Sequence, residues 1–190
     1  MKHEAYFSVD IEAAGPIPGK YSLLSVGACL VSDQSQGFYV ELKPVSDEFV
    51  PEAIAVSGFT LDALKRSGEL PTTAFQRFAD WIEEACGDRK PVFVGFNASF
   101  DWQFINWYFH SYLAKNPFGF GGVDIKSYFM GRRGSTWAES SSSKLPVEFQ
   151  PDTAQTHNAL DDARAQASIF SKMLAEATKC RAKLPFGGVE

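Results

Sequence analysis

The stretch YFSVDIEA, residues 6–13, alternates apolar and polar side chains and runs into the turn-rich segment AGPIPG. This pattern predicts a β-strand. Because strand side chains alternate between two faces, Asp10 and Glu12 project from the same face. Two like charges at the end of an otherwise apolar strand repel each other unless a cation neutralises them. A cation site is therefore one interpretation, and a chance pattern of two solvated acids is the other.

The rest of the chain follows the same logic of strand and helix periodicity. Three more strands follow at 23–32, 37–44 and 91–96, and a fourth is predicted at 122–129. Helices are predicted at 72–86, capped by Thr72 or Thr73, at about 100–113, capped by Asn97 or Ser99, and across Leu160, Ala163, Ala167, Phe170 and Leu174. Residues 51–66 are predicted to be helical or irregular, and residues 131–144 to form a loop. This order favours an α/β fold with one mixed sheet and helices packed on it.

Length and composition predict one globular domain spanning residues 1–190, since the chain is 45% apolar and 22% charged. No apolar run reaches eighteen residues and the N-terminus lacks the features of a signal peptide, so we expect no membrane association. The three cysteines, Cys29, Cys86 and Cys180, show no CxxC spacing. They argue against a disulfide framework or a zinc site and favour the reducing cytoplasm.

The net charge of −5 is unusual for a protein that grips nucleic acid by its phosphates, because such proteins are commonly basic. Two bound divalent cations would bring the loaded protein to about −1. A weakly acidic chain can therefore bind a polyanion if metal ions bridge the two.

Two further acids lie at predicted helix starts, Asp101 after an apolar strand and Asp162 in the last helix. Each has a structural interpretation as a charge that complements the helix dipole. The carboxyl ends of strands are also where open α/β sheets place ligands, and Asp10 and Glu12 approach such an edge. His157 precedes Asp162 by five residues, a spacing that does not share a helix face, so it would reach the same cleft from the entering loop. A surface histidine is the alternative.

The helix FDWQFINWYFHSY, residues 100–112, is apolar nearly all round and is typical of a core helix. Base stacking is the alternative use of such rings, with Trp102 and Phe104 as its candidates because they flank Asp101. Arg132 and Arg133 could contact phosphates, although a solvated loop pair is the simpler interpretation.

Three segments together resemble a known family: FSVDIEAAG (7–15), VGFNASFDWQF (94–104) and HNALDDA (157–163). They are similar, in order and separation, to the three motifs of the DEDDh 3′-to-5′ exonucleases, which include ribonuclease T, oligoribonuclease and proofreading exonucleases. The resemblance implies a ribonuclease H-like fold, a mixed five-stranded sheet with helices on both faces. It also implies cleavage of single-stranded RNA or DNA at 3′ ends to nucleoside 5′-monophosphates.

The same resemblance implies roles for individual residues. Four acids would hold two divalent cations, Mg²⁺ or Mn²⁺: Asp10, Glu12, Asp101 and Asp162. His157 would be the general base, with Glu12 also catalytic, because an imidazole can take a proton from water near neutral pH. Carboxylates suit hard cations, and two cations can clamp the attacking and leaving oxygens of a phosphodiester. Substrate contacts are expected from Ala13, Pro16, Ile17, Asn97 and Phe104.

The chain also departs from the family pattern in three places. Ala13 and Ala14 stand where many members have threonine, Phe96 stands where many have histidine, and residues 131–144 replace an extra helix. Two other functions stay open, a two-metal phosphoesterase acting on small nucleotides and a catalytically silent nucleic-acid-binding relative. The sequence does not decide between RNA and DNA as the substrate, and a homodimer is a further expectation.

Overall fold

The computed structural model describes residues 3–151 and 156–183, with side chains described as far as residue 178. Five strands lie within these residues: β1 (Glu4–Ala13), β2 (Leu23–Leu30), β3 (Asp33–Glu41), β4 (Lys90–Gly95) and β5 (Gly122–Asp124). Six α-helices accompany them: α1 (Pro51–Ser57), α2 (Leu61–Ser67), α3 (Pro71–Cys86), α4 (Ser99–Tyr112), α5 (Ile125–Arg133) and α6 (Ala159–Lys183). Two single 3₁₀ turns, Ser142–Lys144 and Val147–Phe149, precede the last helix.

The strands form one five-stranded sheet in the order β3-β2-β1-β4-β5. β1 pairs antiparallel with β2 and parallel with β4, so the sheet is mixed, as expected. β1 is therefore central, and its carboxyl end lies beside the carboxyl end of β4. A shift of register between Glu12 and Ala13 ends the regular pairing of β1 with β2.

The two faces of β1 carry different side chains because of the strand's period of two. Phe7, Val9 and Ile11 are buried in a cluster with α3 and α4. The opposite face carries Asp10 and Glu12 and is crossed by α6, whose apolar residues pack in a second cluster with α5. The expectation of helices on both faces is confirmed, and the acids share the face that α6 covers.

One close approach fixes where α6 crosses the sheet. Gly27 of β2 is the register partner of Asp10, and a Cβ atom built on it would lie 2.1 Å from the carbonyl carbon of Ala159. Only glycine allows the first turn of α6 to rest on the sheet at this point. The N-terminus of α6 is thereby placed directly beside the acids of β1.

The segment predicted as a strand at 122–129 is mostly helical, so that prediction is wrong beyond Asp124. The strand pairs with β4 only through Gly122–Asp124. The Asp124 carboxylate then accepts the backbone N–H of Ser127 at 2.6 Å and caps α5. An N-cap aspartate satisfies an unpaired donor of the first turn, which favours the helix over continued pairing.

Helix starts also differ from the expected caps. α3 begins one residue before Thr72, at Pro71, whose fixed φ suits the first helical position, and no side chain caps it. α4 has Ala98 as its N-cap residue, also without a side-chain cap, so neither Asn97 nor Ser99 serves.

The predicted loop at 131–144 begins later than expected, because α5 runs through Arg133. Arg133 pairs with Glu176 of α6 at 2.7 Å, and Arg132 lies 3.6 Å from the same carboxylate. These arginines therefore tie α5 to α6 and are not a free loop pair. The stretch predicted at 51–66 forms the short helices α1 and α2.

Neither part of the described chain contains a helix with the length and hydropathy needed to span a membrane. Cys29 and Cys86 are buried, the Cys86 thiol donates to the Arg89 carbonyl at 2.6 Å, and the side chain of Cys180 lies outside the described residues.

Candidate active site

The first two acids project from the carboxyl half of β1. Asp10 and Glu12 are partly exposed and lie opposite Gly27 and Ser25 of β2. The small glycine leaves room above Asp10, which α6 fills. Both carboxylates consequently face the first turns of that helix.

Asp101, in the first turn of α4, is brought to β1 by a hydrogen bond. Its side chain is buried, and its Oδ1 accepts the backbone N–H of Ile11 at 3.2 Å. Ile11 lies between Asp10 and Glu12, so this hydrogen bond holds Asp101 of α4 beside the two acids of β1. The turn before α4 is held by Asp124, whose Oδ2 accepts the N–H of Ala98 at 2.7 Å.

Asp162, in the first turns of α6, is buried and accepts two backbone N–H groups of the entering loop. Its Oδ1 takes that of Thr156 at 2.9 Å, and its Oδ2 takes that of His157 at 3.1 Å. This pair of bonds explains the five-residue spacing, since the loop folds back over the carboxylate. Gln155 and the rest of 152–155 lie outside the described residues.

His157 itself is exposed, with a left-handed backbone conformation at φ 58°. Such backbone conformations in residues other than glycine are uncommon and cluster at functional sites. One ligand atom from each of Glu12, His157 and Asp162 lies within 4.8 Å of the others. The imidazole thus stands at the open side of the acids.

The electrostatics of the site follow from gathering like charges in a buried place. Burial, followed by the nearby charges of Asp101, Asp162 and Glu12, raises the pKa of Asp10 well above its ordinary value. Burial and the charge of Asp162 raise the pKa of Glu12 to about 7. Burial is also the main cause that raises the pKa of Asp101 to about 8. The ionised forms are disfavoured until positive charge is supplied.

This arrangement fits divalent cations. Carboxylate oxygens are the ligands that hard cations prefer, and mutual repulsion among buried acids is relieved by binding them. The residues that would hold such ions are the four predicted acids, Asp10, Glu12, Asp101 and Asp162, which the fold brings together from β1, α4 and α6.

Sequence reasoning missed Gln166, a buried residue one helical turn after Asp162. Its Nε2 donates to Asp10 Oδ1 at 2.5 Å, and its Oε1 accepts the N–H of Phe96 at 2.8 Å. The signal was present, because positions four apart on a helix share a face. A polar residue one turn after a predicted ligand therefore points at the same site.

Three of the predicted substrate contacts are exposed and two are buried. Ile17 is 49% exposed, Pro16 is exposed, and the Pro16 carbonyl accepts Gln103 Nε2 of α4 at 2.9 Å. Asn97 is exposed and left-handed at φ 57°. Ala13 is buried, so only its backbone could contact a ligand.

The prediction for Phe104 is wrong. Its ring is fully buried and therefore has no surface to offer a base. Phe100, one turn earlier on the same helix, is 40% exposed and packs on Phe104 with ring centroids 5.6 Å apart. Trp102, the other candidate, packs edge-on against Phe93 within the core cluster. The phase of the helix could not be fixed from a sequence apolar on all sides.

A cleft of about 500 Å³ opens beside the acids. Its lining includes Asp10, Asp162 and Gln166 together with Asn97, Ser142 and Gln150. The cleft therefore gives access to two of the four acids.

Comparisons with known proteins agree with this geometry. The 3′-5′ DNA exonuclease Cap18 of Escherichia coli is 48% identical over 168 residues, which cover 88% of this chain and 90% of that protein. The nuclease domain of 3′hExo, a DEDDh family member solved with rAMP, superposes with a TM-score of 0.73 at 17% identity, covering 92% and 93% of the two chains. E. coli Exonuclease I, solved with a dA16 oligonucleotide, has a TM-score of 0.66 at 15% identity over 91% of this chain and 41% of that one.

The TM-scores of the two solved structures show a shared fold, and at such low sequence identities they show no more than that. Residues 7–170 match the RNase_T family, described as exonuclease. That match spans every motif from β1 to α6, and members of the family use divalent metal ions. By sequence and by fold, the chain belongs to this family of DEDDh 3′-5′ exonucleases.

Proposed function

We propose that this exonuclease removes nucleotides one at a time from the 3′ ends of single-stranded DNA, with Mg²⁺ or Mn²⁺ as its two cations. The observation that carries the proposal is the convergence of four acids from three elements on one point beside an exposed histidine. DNA is preferred over RNA because the relative that is 48% identical is a DNA exonuclease by name.

The acids differ in how tightly the chain holds them. Asp101 and Asp162 are buried and fixed by backbone N–H groups, so their free lone pairs have set directions. Bound divalent cations would stabilise the charge that develops on the attacking and leaving oxygens of the scissile phosphodiester. Glu12 offers a carboxylate oxygen within 4.8 Å of a ring nitrogen of His157 and completes the proposed ligand set.

His157 is proposed to take the proton from the attacking water. Its backbone N–H donates to Asp162 Oδ2, while the residue as a whole is exposed. A general base must reach both the water and bulk solvent, because it has to release the proton after each cycle. An anchored backbone with an exposed side chain meets both requirements.

The 3′ end of the nucleic acid is proposed to bind between the loop after β1 and the first turn of α4. Ile17 and Phe100 are both exposed, and the bond from Gln103 to Pro16 ties the loop to the helix that carries Phe100. Apolar and aromatic side chains in this position can stack on bases without regard to sequence. Asn97, an exposed residue that lines the cleft, would contact the next nucleotide.

We also propose that residues 1–190 act as one exonuclease domain, that the protein works in the cytoplasm, and that it forms a homodimer. Analytical ultracentrifugation of the purified chain tests the last of these.

The substrate assignment is tested with 5′-labelled DNA and RNA strands of the same sequence, each incubated with Mg²⁺, with Mn²⁺ or with EDTA. We expect a ladder of shortened DNA with either metal, slower loss of RNA, and no cleavage in EDTA. Asp10→Asn should be inactive, whereas Asp161→Asn, an exposed neighbour of Asp162, should behave as wild type. Faster loss of RNA would overturn the choice of DNA, and an active Asp10→Asn protein would overturn the metal site.

A further inference from the structure

The amide of Gln166 joins three elements that each carry part of the site. It extends from α6, the helix of Asp162, and contacts both Asp10 on β1 and the backbone of Phe96 at the end of β4. The side chain is 5% exposed, so water cannot readily replace either bond. A single side chain thus links an acid of the first strand to the turn that leads into the helix of Asp101.

Only one orientation of the amide satisfies both partners. The Phe96 N–H can only donate, so it must face Oε1, and the ionised Asp10 carboxylate can only accept, so it must face Nε2. The bond to Asp10 engages one carboxylate oxygen, Oδ1, and leaves Oδ2 for another partner. Rotation of the Asp10 carboxylate is thereby restricted.

The Gln166 amide donates its hydrogen bond to a carboxylate that lies among other carboxylates. The described groups that act on the Asp10 charge are chiefly other carboxylates, and the Gln166 amide is the hydrogen-bond donor that offsets them. A charged lysine or arginine here would neutralise the acids and compete with a cation, whereas a neutral amide orients the carboxylate and leaves its charge in place.

On this basis, and resting on the proposed function, we propose that Gln166 is a positioning residue that holds Asp10 in its metal-binding orientation and locks it to the β4–α4 turn. It acts through Asp10 and does not itself touch the reacting atoms. Residues that hold metal ligands in this way commonly contribute about 10–100-fold to metal affinity or activity.

The test measures Mn²⁺ binding by calorimetry on the full-length protein, without substrate, for wild type and two variants. Gln166→Ala keeps helix propensity and lets water from the cleft reach the Phe96 N–H, and Gln166→Met keeps the length of the side chain without its hydrogen bonds. We expect both variants to fold and to bind Mn²⁺ about 10–100-fold more weakly. In turnover assays, raising Mn²⁺ should restore kcat, with KM for the oligonucleotide unchanged.

Lys172→Met is the matched control, because Lys172 also projects from α6 and donates to a backbone carbonyl, that of Gln150, at 2.7 Å. It should leave Mn²⁺ affinity as in wild type. Unchanged Mn²⁺ affinity in both Gln166 variants would overturn the proposal, and a raised KM at normal affinity would reassign Gln166 to substrate binding. An equal loss of Mn²⁺ affinity in Lys172→Met would overturn the proposal, because it would show that the effect of the Gln166 variants is general destabilisation of the fold. A wild-type protein that binds no Mn²⁺ would instead refute the proposed function itself.

Discussion

Replacing Asp101 with asparagine should abolish turnover and yet stabilise the metal-free protein. Asparagine has nearly the same shape as aspartate and keeps a carbonyl oxygen for the Ile11 N–H that Asp101 Oδ1 now accepts at 3.2 Å. It removes a buried ionisable group from a cluster of like charges, and its amide can donate to the neighbouring carboxylates. The lost carboxylate is one of the proposed metal ligands, so catalysis should not survive.

The size of the stabilisation follows from the pKa of Asp101, which burial raises from 3.8 to about 8. An acid with a raised pKa in the folded state costs stability as the pH rises from its unfolded pKa to its folded pKa. At pH 7 this amounts to an upper bound on the order of 4 kcal/mol, from about 1.4 kcal/mol per pKa unit. Since about 1 kcal/mol moves Tm by roughly 2–4 °C in a chain of this size, we expect Asp101→Asn to raise Tm, by no more than about 8–16 °C.

The assay is thermal unfolding in EDTA at pH values from 4 to 9, alongside turnover in Mn²⁺. The gain in Tm should be small near pH 4, grow with pH and level off above pH 8. Added Mn²⁺ should reverse the order, since it stabilises the wild-type fold that binds it. A lower Tm for Asp101→Asn in EDTA at pH 8, or a gain independent of pH, would show that the buried Asp101 carboxylate does not destabilise the metal-free fold.

Four other substitutions separate the roles of individual residues in and around the site. His157→Asn, which tolerates the left-handed backbone, should lower the rate of the chemical step by roughly 10²–10⁴ while Mn²⁺ affinity, measured by calorimetry, is retained. Phe100→Ala should raise KM for an oligonucleotide with little change in Tm, whereas Phe104→Ala should lower stability by about 3–5 kcal/mol in urea unfolding because its ring is fully buried. Gly27→Ala should displace the first turn of α6 and abolish Mn²⁺ binding, because its Cβ would meet the carbonyl carbon of Ala159 at 2.1 Å. Wild-type Mn²⁺ affinity in that last variant would show that α6 can move without disturbing the acids.

Much of the site could be predicted because its residues are marked by local rules. Asp10 and Glu12 share a face through the strand period, and their position on a central strand follows from its apolar neighbours. The place of Asp101 just after a buried strand likewise indicated the edge of the sheet where the acids converge.

One difference is local: the segment after Asp124 has the composition of a strand, and the N-cap bond from the Ser127 N–H to Asp124, three residues apart, favours a helix instead. The other differences depend on contacts that no local pattern encodes. Phe104 and Phe100 are chemically identical, and only the packing of α4 against the sheet decides which ring is buried. The Gln166 bridge needs β1, β4 and α6 to be assembled before its two partners come within reach.

These acids and His157 are proposed to form a centre that cleaves single strands from the 3′ end. The most direct measurement compares one DNA oligonucleotide labelled in separate samples at its 3′ and 5′ ends, in Mn²⁺, with a circular single strand of the same sequence beside it. We predict that the 3′ label leaves at once as a mononucleotide, that the 5′-labelled strand shortens in single steps, and that the circle stays intact. Early release of the 5′ label, or cutting of the circle, would show that this centre does not cleave from the 3′ end.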